Sequence, residues 1–274
     1  MESGRVASKS DAAFEACARL ANTHYENFTV GSLLLPRGTK KHLHALYAFA
    51  RTTDDIGDES EGDRLANLDA WEEDFRRIRD GSPRHPVHVA LVETVRKFDI
   101  PDEPFLKLIE ANRIDQRKTR HETFKDLLHY CDHSANPCGH LVLYAFGERD
   151  AESRRLADFT CTALQLVNFW QDLATDWSKG RVYLPQEDLR RFGYTEEELG
   201  RGEVNDRLRL VSAECVGQKD GVPYVTFDKW TPSHGPAVAC DEIVVDDRLE
   251  SRRSERFAGM AADEPGAARY EYST

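Results

Sequence analysis

The placement of glycine and proline constrains this chain more than any other feature. From residue 11 to about 178 they fall at or near the ends of helix-like stretches and leave the periodic runs between them intact. Pro36, Pro83, Pro101 and Pro137 stand at boundaries, where a missing N–H does least harm. The intervening segments are rich in Ala, Leu, Glu and Arg, all good helix formers. The pattern predicts helices over 11–26, 38–60, 62–79, 86–98, 102–119, 123–132, 135–147 and 151–178. A short helix is expected after Leu184-Pro185, and Thr195-Glu196-Glu197-Glu198 reads as a capping box that opens another. The expected fold class is therefore all-α, with a helical domain over 12–202. Past about Gly202 the stripe stops. Gly217, Gly221, Pro223, Pro232, Gly235 and Pro236 break up short β-branched runs such as Val222 to Phe227. Residues 203–274 are expected to be irregular or β-leaning, with weak order near the C-terminus.

Composition narrows the function. The 274 residues carry a formal net charge of −12. An acidic chain is a poor partner for nucleic acid, whose phosphates need a basic face. It can still take a phosphate-bearing small molecule, because a bound cation reverses the local sign. No run approaches the roughly 20 apolar residues of a membrane span, and the first twenty residues have no apolar signal-peptide core. Cys17, Cys131, Cys138, Cys161, Cys215 and Cys240 are scattered, as free thiols in a reducing cytoplasm would be.

Two segments carry chemistry. In Tyr47-Ala-Phe-Ala-Arg51-Thr-Thr-Asp54-Asp55-Ile-Gly-Asp58, helical geometry brings Tyr47, Arg51, Asp54 and Asp58 within roughly 60° of one another. Asp55 lies beside that stripe but about 100° off its face. In Gln165-Leu-Val-Asn168-Phe-Trp-Gln171-Asp172-Leu-Ala-Thr-Asp176, the pair Asp172 and Asp176 repeats the spacing, and Gln165 and Asn168 extend the face. Leu164, Val167, Phe169 and Trp170 make the remainder apolar and are expected to be buried.

An aspartate pair at i, i+4 is more often solvated helix surface. Yet like charges so placed destabilise a helix by roughly 0.2–0.5 kcal/mol, and Asp is a poor interior helix former. Two such pairs, each extended by polar groups, call for a cation between them. Carboxylates from two helices suit Mg²⁺, which prefers oxygen ligands and leaves positions for substrate phosphates. The implied reaction is departure of diphosphate from a carbon able to carry positive charge, with Arg51 available to a phosphate oxygen.

The two aspartate motifs, Asp54-Asp55-Ile-Gly-Asp58 and Asp172-Leu-Ala-Thr-Asp176, together with Lys179-Gly180-Arg181-Val182-Tyr183-Leu184-Pro185, resemble the squalene/phytoene synthase family. The likeness runs from about residue 12 to 199 and leaves the C-terminal segment unmatched. Tyr25 to Pro36 and Ser134-Ala-Asn-Pro137-Cys-Gly139 resemble its bacterial hydroxysqualene synthase branch. The resemblance implies an isoprenoid synthase helical bundle with a central cavity, open on one side if the C-terminal segment departs from the family. It implies Mg²⁺ on Asp54, Asp58, Asp172 and Asp176. It implies catalytic roles for Tyr47, Arg51 and Tyr130, and substrate contacts from Arg51, Gln165, Asn168 and Arg181. The expected reaction converts presqualene diphosphate to hydroxysqualene. Phe28, Tyr47, Phe49, Tyr130, Tyr144 and Phe169 are candidates to line the pocket, although aromatics at helical spacing are more often plain core. The alternatives are a head-to-head condensing enzyme making presqualene diphosphate, squalene or phytoene, and a catalytically impaired binding protein of the same ancestry. The resemblance also admits peripheral membrane contact and association with other squalene or hopanoid pathway enzymes.

Other constellations are weaker. His129, His133, Cys131, Cys138 and His140 resemble zinc ligation only loosely, without a CxxC pair. Lys118-Thr-Arg120 could meet an anion but reads more simply as a solvated helix end. No Walker loop or G-x-G-x-x-G is present, so no nucleotide cofactor is indicated.

Overall fold

A computed structural model describes residues 9–23 and 38–201. All of them fall within a compact unit spanning Met1–Ser212, and a second unit, Ala213–Thr274, lies outside the described residues. So do the Tyr25–Pro36 stretch and the expected β-leaning segment.

The described residues are helical: α1 (Lys9–Thr23), α2 (Lys40–Asp58), α3 (Arg64–Arg76), α4 (Pro86–Phe98), α5 (Glu103–Arg117), α6 (Phe124–Ser134), α7 (Asn136–Ala145), α8 (Ala151–Gln171), α9 (Leu173–Ser178), α10 (Gln186–Phe192) and α11 (Glu196–Gly200). Among them no strand forms; the one extended pairing is an isolated bridge between Arg120 and Val182. Local chemistry sets the boundaries. Asp63 caps α3 by accepting from the N–H groups of Leu65 and Ala66. Pro86 opens α4, Thr123 caps α6, and Asp150 caps α8. Thr195 and Glu198 complete the capping box expected at α11.

The central helix is α2, which packs against α1, α3, α4, α5 and α7. Its fully buried Phe49 meets Trp71, Phe75 and Phe105 at ring-centroid distances of 5.6, 5.5 and 5.0 Å. Burial of each such ring contributes about 1.5–3 kcal/mol. Phe49 thus belongs to the core and lines no pocket. Polar groups inside this core are tied. The Trp71 indole donates to Thr53 Oγ1 at 2.9 Å, and His88 Nδ1 lies 2.8 Å from Asp74 Oδ2. Burial holds His42, His88 and His121 neutral, each with its pKa lowered to about 4.

Most expected helix ends shift by one to three residues, as for α3, Arg64–Arg76 against 62–79, and one helix is divided. The helix predicted over 151–178 is two, because Asp172 takes φ −96°, ψ 11° between α8 and α9. Asp is a poor interior helix residue, and Asp176 one turn on repels it. The bonding ladder continues through the distortion. The Asp172 N–H donates to Asn168 C=O at 2.9 Å, and the Asp176 N–H to Asp172 C=O at 2.8 Å. The i, i+4 relation of the two aspartates survives.

Candidate active site

The first aspartate pair lies at the C-terminal end of α2, against α5. Asp54 Oδ1 accepts from Asn112 Nδ2 at 3.0 Å. Asp58 takes Arg181 at 2.7 Å and Lys179 at 3.1 Å, two cations from just beyond α9. Gly180 between them adopts φ +76°, a conformation that costs other residues about 1–2 kcal/mol. These contacts join the ends of the two aspartate segments. The charges around Asp176 include Lys179, Arg181 and Asp115.

Asp115 on α5 is the hub of this end. It accepts from the Tyr130 hydroxyl at 2.5 Å and from the Tyr183 hydroxyl at 2.9 Å. Burial pushes Asp115 up to about 6, against the two phenols and Arg181. The phenols themselves are held up by burial and by the carboxylate between them. Phe169 stacks on Tyr183 at 4.2 Å, and Tyr130 lies 5.4 Å from Tyr183. This buried aromatic cluster stands beside the charged groups.

Electrostatics distinguish the four carboxylates. Burial raises Asp54 to about 6, Asn112 opposes the shift, and Asp58 adds to it. Burial and Asp172 likewise bring Asp176 to about 6. Burial also works against Asp58, but Arg181 and Lys179 outweigh it and hold this carboxyl below its usual range. Arg181 is buried, yet Asp115, Tyr183 and Asp58 around it more than offset the desolvation and secure its charge. Asp54 is open to solvent while protein surrounds it closely. The same is true of Cys138 on α7, pushed up to about 12 by burial with Asp54 nearby. Asp54 and Cys138 are thus exposed neighbours on α2 and α7.

The second stripe is exposed in the same way. Asn168 and Asp172 are exposed, while Gln165 and Asp176 are half-buried. On the apolar remainder of α8, Phe169 and Trp170 are buried as expected and Val167 is half-buried. Leu164, expected to be covered, is 48% exposed. Val142 and Phe146, one and two turns beyond Cys138 on α7, are exposed as well. A groove of about 610 Å³ lined by Lys9, Glu93, Arg96 and Lys97 shares no residue with the stripes.

The other sequence candidates fall as follows. Tyr47 is half-buried on α2. Arg51 reaches Asp55 at 2.7 Å and Glu59 at 3.7 Å, so the carboxylate expected off the stripe is the one it pairs with. Tyr130 and Phe169 are buried in the aromatic cluster, and Tyr144 is buried against the core. Arg120 pairs with Glu196 and donates to the Gly180 carbonyl, and Lys118 pairs with Asp126, so that patch is structural. His140 is bound to Asp158 at 2.6 Å.

Sequence reading passed over Asp115, Tyr183 as an active group, Lys179 and Asn112. A signal existed for two of them: Phe105, Leu108, Ile109, Asn112 and Asp115 follow one helical stripe, and a polar residue on a buried stripe needs a partner.

The site suits a hard divalent cation. All four aspartates offer oxygen, and Asp58 and Asp172 add negative charge beside Asp54 and Asp176 respectively. Among the described residues no three of His, Cys, Asp and Glu cluster closely enough to hold an ion alone. The carboxylates stand as two pairs. Mg²⁺ commonly uses one or two carboxylates and takes its other ligands from water and substrate phosphate.

An all-helical bundle with two aspartate pairs at one end defines a class, and the comparisons agree. The chain belongs to the squalene/phytoene synthase family, matched over residues 21–222 and so reaching past Gly202. It is 34% identical over 218 residues to the 15-cis-phytoene synthase of Synechococcus elongatus, covering 74% of this chain and 70% of that one. Among solved structures it resembles the squalene synthase HpnC from Alicyclobacillus acidocaldarius, with 47% identity, a TM-score of 0.72, and 76% of this chain and 80% of that one covered. A dehydrosqualene synthase structure shares 28% identity with a TM-score of 0.70, covering 77% of this chain and 74% of that one. The family's reaction is head-to-head joining of prenyl diphosphates. No helix among the described residues is long and apolar enough to cross a membrane.

Proposed function

We propose that this chain converts presqualene diphosphate to hydroxysqualene with loss of diphosphate. The observation that carries this reading is the Asp58–Arg181 contact of 2.7 Å, which draws the two aspartate segments toward one space. The identity of 47% to a squalene synthase called HpnC supports the branch. Asp54, Asp58, Asp172 and Asp176 would hold Mg²⁺, which when bound neutralises charge on the departing diphosphate.

The residues divide the remaining work. Arg181, its charge secured by its surroundings, holds a phosphate oxygen. Arg51, Gln165 and Asn168 bind and orient the rest of the diphosphate. The C–O bond breaks and both electrons leave with the diphosphate oxygen. The cyclopropylcarbinyl cation opens, a water oxygen supplies the electron pair for the new C–O bond, and that water loses a proton to solvent. Asp115 fixes the Tyr130 hydroxyl, so the ring faces of Tyr130 and Phe169 are rigid neighbours for positive charge. Tyr47 contributes from α2. The hydrocarbon lies along Val142, Phe146 and Leu164. A product of that kind suits release at a lipid surface, by peripheral contact.

The test is incubation with Mg²⁺ and either presqualene diphosphate or farnesyl diphosphate, with products read by mass spectrometry. Alcohol from presqualene diphosphate supports the proposal, and its absence removes it. The phytoene synthase relatives favour a second reading, head-to-head condensation, which predicts a new prenyl product from the shorter diphosphate alone. Turnover that survives Asp54→Ala would contradict both.

A further inference from the structure

The Asn112 carboxamide on α5 does two things at once. Its Nδ2 donates to Asp54 Oδ1 at 3.0 Å and to Leu108 C=O at 3.2 Å. Both partners are acceptors, so the amide orientation is fixed by chemistry. Its Oδ1 lies 2.1 Å from where a Cβ on Gly57 would stand, with Cγ and Cβ at 2.9 and 3.1 Å. Any side chain at Gly57 would therefore displace Asn112. One turn along α5, Gln116 Nε2 donates to the Gly57 C=O at 2.9 Å. The backbone of α2 is thus pinned to α5 between its two aspartates, and one oxygen of Asp54 is already engaged. The carboxylate cannot rotate freely.

We propose that Asn112 is a positioning residue for the first aspartate pair: it fixes the Asp54 carboxylate in the orientation that receives metal and diphosphate, and Gly57 is the space that admits it. This rests on the reading of Asp54 as a metal ligand given above. A group that orients a ligand in this way typically changes metal affinity by about 10–100-fold when removed. An asparagine that only supports packing would change thermal stability and leave that affinity alone.

The experiment titrates Mn²⁺ into the full chain with saturating inorganic pyrophosphate, by calorimetry, and records thermal midpoints alongside. Wild type is compared with N112L, G57A and D54A. N112L removes the donor at similar volume without adding charge. G57A keeps the donor but pushes it away from Asp54, and serves if N112L does not fold. The expected result is a loss of Mn²⁺ affinity of about 10–100-fold in both variants, exceeding what their thermal midpoints account for, with binding abolished in D54A. Wild-type affinity in N112L and G57A, with D54A still defective, overturns the positioning role and leaves the function standing. Wild-type affinity in D54A overturns Asp54 as a ligand and the positioning role together.

Discussion

The two aspartate pairs share a spacing and differ in how the fold holds them. Asp54 and Asp58 end the most enclosed helix of the bundle, with Asn112, Gln116, Lys179 and Arg181 around them. Asp172 and Asp176 stand at a distortion between α8 and α9, with Asn168 and Asp172 exposed. Exposure is alike in the two pairs, Asp54 and Asp172 being exposed and Asp58 and Asp176 half-buried; the difference lies in the side-chain partners that hold the first pair. Equal motifs therefore need not carry equal structural consequences. The first pair couples the site to the bundle through Asn112 and Gln116 of α5.

The largest expected effect falls on turnover and is common to both ridges. Asp58→Ala and Asp176→Ala should each lower kcat by about 10²–10³-fold in steady-state assays, the scale seen when charge stabilisation at a leaving group is lost. Stability should separate them. Asp58 is held below its usual range by Arg181 and Lys179, so Asp58→Asn should lower the thermal midpoint at pH 7. Asp54 and Asp176 are raised to about 6, so their ionised forms oppose folding at neutral pH. Asp176→Asn should raise the midpoint more than Asp54→Asn, because solvent screens the exposed Asp54, while activity falls in both. A uniform loss of stability in all three variants would break the contrast.

The core itself supplies the next effect. His42, His88 and His121 have folded pKa values near 4 against an ordinary 6.5. As pH falls, the unfolded chain takes up these protons first. Stability is then fully present above about pH 6.5 and is lost progressively toward pH 4, by about 1–2 kcal/mol per histidine at pH 5. Denaturant melts at pH 7 and pH 5 measure this, and His88→Phe should flatten the profile. The smallest effect is expected at the edge of the described fold. Thr195→Ala removes a capping hydrogen bond of 3.2 Å and should cost about 1 kcal/mol, read as a small midpoint shift with unchanged turnover.

Much of the fold is legible in the chain because local rules and packing agree. The helix ends at Pro86, the capping box at Thr195, and the aspartate stripes all follow from residues a few positions apart. The site is less legible because its partners are distant in sequence. Nothing near Asp115 announces Tyr130 and Tyr183, fifteen and sixty-eight residues away. The break at Asp172 is hidden because no Gly or Pro interrupts residues 151–178. Leu164 shows the opposite failure: a leucine on an apolar helix reads as core, and only its surroundings reveal that it faces the open side.

In the proposed reaction both ridges grip one diphosphate. Anomalous diffraction from crystals of the full chain grown with Mn²⁺ and inorganic pyrophosphate tests this directly. Pyrophosphate with Mn²⁺ contacting both the Asp54/Asp58 pair and the Asp172/Asp176 pair is the predicted result. Metal and pyrophosphate bound to one pair alone, or away from both, would contradict it.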